Sequence, residues 1–220
     1  MRVEPALLPH ISGPSQFQEA FGVSRETLDR LKLYADLLVQ WQRAVNLVAP
    51  STLGDIWHRH FADSAQLVEL APAGARWTDL GSGAGFPGLV VAIIRAGKSA
   101  MTLIESDVRK CAFLREVVRQ TGVAVDIVNA RIETFSTQAR ISEGGVVSAR
   151  ALAPLDRLFE LSSGLFTRDT LGLFPKGREL GSEMEAAQRR WQFESTVVPS
   201  RTDRSGRIVE IRALRAKTEG

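Results

Sequence analysis

Residues 77–94, WTDLGSGAGFPGLVVAII, decide the fold. An apolar stub of Trp77 and Leu80 runs into a turn made of Gly81, Ser82, Gly83, Ala84 and Gly85, and an apolar helical pattern starts at Gly88. A strand, a glycine turn and a helix in that order form a ligand-binding corner. Glycine has no Cβ, so the backbone bends sharply and a ligand can lie against bare peptide. The following helix points its free N–H groups and the positive end of its dipole at whatever sits there.

Two ligand classes fit this turn. Gly83, Gly85 and Gly88 match G-x-G-x-x-G, the dinucleotide fingerprint, in which the helix N-terminus receives a pyrophosphate. The fuller pattern is Asp79-x-Gly81-x-Gly83-x-Gly85, with Pro87 inside it. It resembles the first motif of S-adenosylmethionine-dependent methyltransferases, whose ligand carries no phosphate. The run Ala100–Glu105 reads as a second strand ending in a carboxylate. Both cofactor classes place an acid there for ribose hydroxyls, so Glu105 supports a ribose ligand without separating them. Ser106 or Asp107 is a candidate N-cap for a helix whose Val108, Cys111, Phe113, Leu114, Val117 and Val118 fall mostly on one face until Gly122.

The rest of the chain repeats this rhythm. Strands are predicted at 76–80, 101–105, 124–128, 145–149, 170–175, 194–198 and 207–212, with helices near 87–96, 107–121, 154–166 and 179–190. Alternating strands and helices imply a mostly parallel sheet covered on both faces, an α/β fold. The last two strands read as an antiparallel hairpin turning through Ser200 to Gly206. Upstream, residues 1–15 look loose, and Ser24 caps a helix with an apolar stripe of Leu28, Leu31, Ala35, Leu38 and Trp41. A further helix is expected from Ser51 or Thr52 to about Leu70. This divides the chain into a helical N-terminal extension, 1–72, and a sheet-bearing unit, 73–220, packed as one compact body.

Composition narrows the class. The chain has 220 residues and a hydrophobic fraction of 44%, enough for a full core. No apolar run reaches the roughly 18 residues of a membrane span, and the first residues lack the apolar core of a secretory signal. One cysteine, Cys111, leaves no internal disulfide and no cysteine-rich zinc site. These features predict a cytoplasmic protein. A net charge of +3, with arginine supplying 23 of 28 basic residues, permits a nucleic-acid partner. The tail concentrates it in Arg201, Arg204, Arg207, Arg212, Arg215 and Lys217. No RRM- or KH-like signature occurs, so RNA contact would rest on charge and shape.

Seven further motifs occur in order: Asn46-Leu-Val-Ala49, Arg59-His-Phe-Ala-Asp-Ser64, Asp79 through Gly88 ending Gly-Phe-Pro-Gly, Phe113-Leu-Arg115, Ala130-Arg-Ile-Glu133, Ser148-Ala-Arg-Ala151 and Lys176-Gly177. Together they resemble the bacterial glucose-inhibited division protein B family, the small-subunit rRNA methyltransferase G family, over nearly the whole chain from about residue 20. The resemblance implies a Rossmann-like class I methyltransferase: a seven-stranded, mostly parallel sheet behind a helical extension. It implies S-adenosylmethionine as cofactor, S-adenosylhomocysteine as product, and 16S rRNA as substrate. The family methylates N7 of one guanine, position 527, in the 530-loop. No membrane and no stable protein partner are implied.

Carried over by position, Gly81, Phe86, Ile132, Glu133 and Arg150 would contact the cofactor; with Asp79, Ser82, Gly83 and Gly85 of the glycine turn and Glu105 after the second strand they make the candidate cofactor set. Glu105 stands where relatives often have aspartate. Guanine N7 carries a lone pair and no proton, so no acid–base residue is expected; Arg150 and Lys176 are positioning candidates. Arg150 orients cofactor or guanine, or is a salt-bridged strand end. Lys176 reaches an RNA phosphate, or is a solvated loop lysine. His58 and His60, at i and i+2, make a poor metal pair, and no metal is expected. His60 and Asp63 meet on one face and tie the extension to the cofactor loop, with an RNA-facing role as the alternative. The substrate is expected as a preformed loop within a small-subunit particle. The rival readings are a small-molecule or protein methyltransferase, an NAD-linked oxidoreductase, and a non-catalytic RNA-binding module.

Overall fold

The computed structural model describes residues 6–138 and 145–217. Its seven strands are β1 (Trp77–Leu80), β2 (Met101–Glu105), β3 (Asp126–Asn129), β4 (Val146–Ser148), β5 (Leu171–Lys176), β6 (Trp191–Pro199) and β7 (Arg207–Ala216). They form one sheet in the order β3-β2-β1-β4-β5-β7-β6. Strands β1 to β5 run parallel, and β7 lies antiparallel between β5 and β6. The expected α/β architecture, hairpin included, is therefore present.

Neighbouring strand residues point to opposite faces, and the central strands are apolar on both. Trp77, Leu103, Val146, Leu173 and Ile208 face one buried cluster; Leu80, Ile104, Val147, Phe174 and Val209 face the other. Double burial of this kind follows from crossover helices covering both sides of a parallel sheet. Helices α4 (Gly88–Arg95) and α5 (Val108–Thr121) cover the first face. Helices α6 (Ile132–Gln138), α7 (Leu155–Ser162) and α8 (Leu180–Arg190) lie on the second side.

The N-terminal region packs on the first face. Helices α1 (Pro14–Phe21) and α2 (Arg25–Trp41) bring Phe17, Leu28, Leu31, Tyr34 and Leu38 into the same cluster as Leu89 and Leu114. The side chain of Ser24 accepts from Thr27 N and starts α2, as its residue type demands. Asp107 does the same for α5, accepting from Arg109 N at 2.8 Å.

Several expectations change. Helix α1 occupies the end of a stretch read as loose, because Pro14 sits comfortably in a first helical turn. Val108 does not join the apolar face of α5; it is 65% exposed in the first turn. The helix expected over 51–70 is four short pieces: 3₁₀ turns at Pro50–Asp55 and Gln66–Leu70, and between them a π-helical stretch, Trp57–Ala62, with the single α turn α3 (Asp63–Ala65). Within and just after the π-helical stretch, His58 turns to Ile11 and Thr202, while His60 and Asp63 both meet Arg150. The hairpin strands outrun their apolar runs because β6 forms the sheet edge, where polar residues such as Glu194 and Thr196 stay exposed.

One glycine sets the spacing between layers. A Cβ on Gly88 would lie 2.5 Å from Leu103 Cδ2 and 2.7 Å from Asp79 Cβ. Gly88→Ala should therefore push α4 off the sheet and destabilise the fold by roughly 1–3 kcal/mol; urea unfolding of the two proteins measures it.

Candidate active site

The glycine turn leaves β1 at Leu80 and bends through positive φ at Gly81 (62°), Gly83 (57°) and Gly85 (96°). It opens onto a cavity of about 800 Å³ at the carboxyl ends of β1, β4 and β5. This is where the strand order reverses, the place at which open α/β sheets bind ligands. Gly81, Ser82, Gly83 and Phe86 line it from the turn, and Arg150 to Pro154 from the loop after β4. Thr52, Arg59, His60 and Asp63 line it from the N-terminal region, and Arg207 from the start of β7.

Asp79 lies beneath the turn, not in the cavity. It is fully buried, and its two oxygens accept from Ser148 Oγ (2.6 Å) and Gly88 N (3.3 Å). Ser148 in turn accepts from the Trp77 indole N–H at 2.8 Å. Burial pushes the Asp79 pKa from 3.8 up to about 6, against the opposing pull of Ser148, Ser82, Gly88 and Arg150. Its position has a chemical consequence. Asp79 places the chain's own carboxylate at the N-terminus of α4, where a dinucleotide fold seats a pyrophosphate. The turn suits a ligand that brings no phosphate.

Glu105 is also engaged with backbone. One oxygen accepts from Gly83 N (2.9 Å) and the other from Asp107 N (2.8 Å). The longer glutamate arm reaches back from the end of β2 and braces the glycine turn. Ile132 is buried in the first turn of α6, and Glu133 is exposed and paired with Arg157. Asp79, Gly85, Glu105, Ile132 and Glu133 lie outside the lining of the main cavity, whereas Gly81, Ser82, Gly83, Phe86, Arg150 and Lys176 are in it.

Arg150 joins the N-terminal region to the turn. Its guanidinium donates to Arg59 O (3.0 Å), Asp63 (3.2 Å) and His60 Nδ1 (2.7 Å), and lies 5.0 Å from the Phe86 ring centroid. His60 stacks on the same Phe86 ring at 4.9 Å. A guanidinium only donates, so Nδ1 of His60 accepts and Nε2 carries the hydrogen. Nε2 then donates to Thr52 Oγ1 (2.8 Å), whose own hydrogen goes to Ala49 O. Burial, helped by Arg150 and Arg59, lowers the His60 pKa to about 3, so the ring is neutral. The expected tie between His60, Asp63 and the loop is made through Arg150. His58 serves a different junction. Its Nδ1 accepts from Ile11 N (3.2 Å), and its Nε2 contacts Thr202 O (2.9 Å).

Lys176 departs from both roles expected of it. Its ammonium is paired with Glu183 (2.7 Å) and donates to Ala153 O (2.7 Å), with the side chain 10% exposed. Glu183 also accepts from Leu155 N at 2.9 Å. Lys176 is therefore neither solvated nor free for a phosphate; it anchors the loop after β4. That loop contains Ala151, which holds φ of 52°, and Leu152, which covers Gly81.

Three contributors escaped sequence reasoning. Tyr34 donates its hydroxyl to Ala84 O and stacks on Phe86. It is the only tyrosine and sits on the α2 stripe, a signal that was available. Leu152 carries no signal of its own; the β6–β7 turn was legible as a basic hairpin turn, but only the tertiary fold brings either to the cavity.

Two outcomes test this geometry. Asp79 holds its proton more tightly folded than unfolded, so its contribution is complete below about pH 4 and lost as pH rises through 6. Relative to Asp79→Asn, the wild type should lose about 3 kcal/mol of stability between pH 4 and pH 7, read from urea unfolding across that range. Lys176→Ala should cost roughly 2–4 kcal/mol by stranding Glu183 in a largely buried position, and calorimetry should show a lower Tm.

Comparisons with known proteins bear on the family and the fold. The family model for rRNA small subunit methyltransferase G matches residues 27–209. A relative named ribosomal RNA small subunit methyltransferase G from Parvibaculum lavamentivorans is 48% identical over 209 residues, covering 94% of this chain and 92% of its own. Another of that name, from Rhodospirillum centenum, is 52% identical over 198 residues, covering 90% and 89%. Among solved structures, the O-methyltransferase from Bacillus cereus in complex with SAH aligns with a TM-score of 0.55 at 11% identity, covering 81% of this chain and 90% of that one. A variant of MtNAS in complex with S-adenosylmethionine aligns at 0.57 and 14% identity, covering 93% and 86%. Those two structures share the fold, while the family model and the curated relatives share the sequence: the chain belongs to the rRNA small subunit methyltransferase G family.

Proposed function

We propose that this protein transfers a methyl group from S-adenosylmethionine to N7 of one guanine in 16S rRNA, position 527 in the 530-loop, and that it acts on a small-subunit particle. The observation that carries the reading is the glycine turn opening onto the cavity at the reversal of strand order, in a chain of this family. When bound, S-adenosylmethionine supplies an electrophilic methyl on a sulfonium. Gly81, Ser82, Gly83 and Phe86 would hold it at the turn. Glu105, Ile132 and Glu133 would serve its ribose and adenine, and Arg150 the far wall.

The ionisable groups around the cavity favour a nucleophile that needs no base. His60 is neutral with both nitrogens engaged, and Lys176 is paired. Guanine N7 has a free lone pair in the purine ring and no proton to lose. The chain's work is then to hold N7 in line with the methyl group, and positioning of that kind contributes roughly 7–11 kcal/mol. The sheet-bearing unit, 73–220, would bind the cofactor, with the extension, 1–72, bracing the turn through Tyr34, His60 and Asp63. The carboxylate under α4 disfavours the oxidoreductase alternative.

Transfer of labelled methyl to total RNA, small subunits and a short stem-loop of the same sequence, followed by mapping of the modified base, tests the assignment. The expected result is one N7-methylguanine, formed fastest on the particle. Label elsewhere, equal rates on particle and stem-loop, or titration showing NAD as the sole ligand would each contradict it. Gly81→Val should abolish S-adenosylmethionine binding in calorimetry while the protein stays folded, since its Cβ would lie 2.6 Å from Leu152 Cδ1 at a φ of 62°.

A further inference from the structure

The cavity mouth carries cations that the fold does not use. Several surface arginines are paired, Arg30 with Glu26, Arg119 with Glu116, Arg190 with Asp156 and Arg201 with Glu69. What sets the mouth apart is that its arginines border a cavity and are held in one bonded framework. Arg59 lines the cavity and Arg204 follows the lining residue Asp203 in the β6–β7 turn; both are exposed, and neither forms an ion pair among the described residues. Arg207 is held through Nη1 by the carbonyls of Arg204 (2.9 Å) and Gly206 (2.7 Å), which fix its guanidinium and leave its charge uncompensated. The acid facing this group is Asp203, which lies close enough to Arg59 for its pKa to be lowered. One of its oxygens already accepts from Ser205 N and Oγ, both at 2.8 Å.

These arginines come from two distant parts of the chain that are bound into one platform. Thr202 donates to Asp63 (2.9 Å), and His58 Nε2 meets Thr202 O (2.9 Å). Gln66 accepts from Arg201 N (2.8 Å) and donates to Ser200 Oγ (3.2 Å). Arg201 clamps Glu69 through both carboxylate oxygens. The β6–β7 turn is thereby fixed to the 57–69 segment, and both border the cavity. A rigid platform with uncompensated guanidinium groups beside a cavity fits a polyanion whose reacting part enters that cavity.

We propose that this platform is the RNA-docking surface of the protein, with Arg59, Arg204 and Arg207 gripping backbone phosphates that flank the target guanine. The proposal rests on the reading of the chain as an rRNA methyltransferase and assigns the RNA to one side of the cavity. Guanidinium suits phosphate through its planar fork of donors. Such contacts locate the strand without reading its sequence, which leaves the choice of guanine to the cavity and to the shape of the ribosomal loop.

The test replaces Arg59, Arg204 and Arg207 together by glutamine in the full chain, with Arg30→Gln and Arg119→Gln combined as the control. Filter binding of a 16S rRNA fragment across a potassium chloride series reads docking, and methyl transfer to the small subunit reads the reaction. The triple variant should bind RNA at least about tenfold more weakly at 0.15 M salt, and the slope of log affinity against log salt should fall by about 2, at about 0.7 per single-strand phosphate. Its affinity for S-adenosylmethionine should stay within about twofold of wild type, a readout that a folding defect would not spare. The control pair should behave as wild type. Unchanged RNA affinity and slope in the triple variant would overturn the platform alone. A wild type that binds RNA with the full salt slope, loses that slope in the triple variant, and transfers no methyl would support the platform and overturn the proposed reaction.

Discussion

A single buried carboxylate organises the centre of this molecule. Asp79 joins β1 to β4 through Ser148, and to the first turn of α4 through Gly88 N. A buried charge is tolerated only where hydrogen bonds replace its water, so these partners cannot drift apart without exposing the cost. The glycine turn lies over this junction, bent by the positive φ of Gly81, Gly83 and Gly85. The same carboxylate occupies the anion site of the helix, which separates this turn from a dinucleotide fold of similar glycine spacing.

A second constraint acts from the opposite side of the turn. Phe86 is flanked by Tyr34, by His60 and by the guanidinium of Arg150. These come from α2, the π-helical segment and the end of β4, so the N-terminal region helps to wall the cavity. Arg150 makes the arrangement directional. Because it can only donate, it sets the tautomer of His60, which sets the hydrogen bond to Thr52. The loop after β4 is held from beyond β5 by the Lys176–Glu183 pair. These side chains are committed to architecture.

Much of this was legible in the chain itself. The alternation of apolar runs and helical stripes yielded the order of elements, because double burial of a parallel sheet leaves short, almost wholly apolar strands such as Val146–Ser148. Asp107 and Ser24 announced their helices through cap chemistry, which acts within three residues. The turn declared itself through Gly81, Gly83 and Gly85, since positive φ is a local demand that glycine answers. The segment 51–70 was less legible: its apolar positions suit a helix of any pitch, and the π turn answers to partners far away in sequence.

By itself, then, the sequence determined whatever depends on neighbours along the chain: strand and helix order, the glycine turn, the acid at the end of β2, and the motifs of the family. Only the tertiary structure decided the roles of the charged side chains. Asp79 lies under the turn, Glu105 braces Gly83, Lys176 is bound to Glu183, and Arg59 and Arg207 border one cavity from positions 148 residues apart. Charge and hydrogen-bonding capacity are written in the residue type, but the partner that satisfies them is set by long-range packing, and a carboxylate or guanidinium changes function entirely with what it meets.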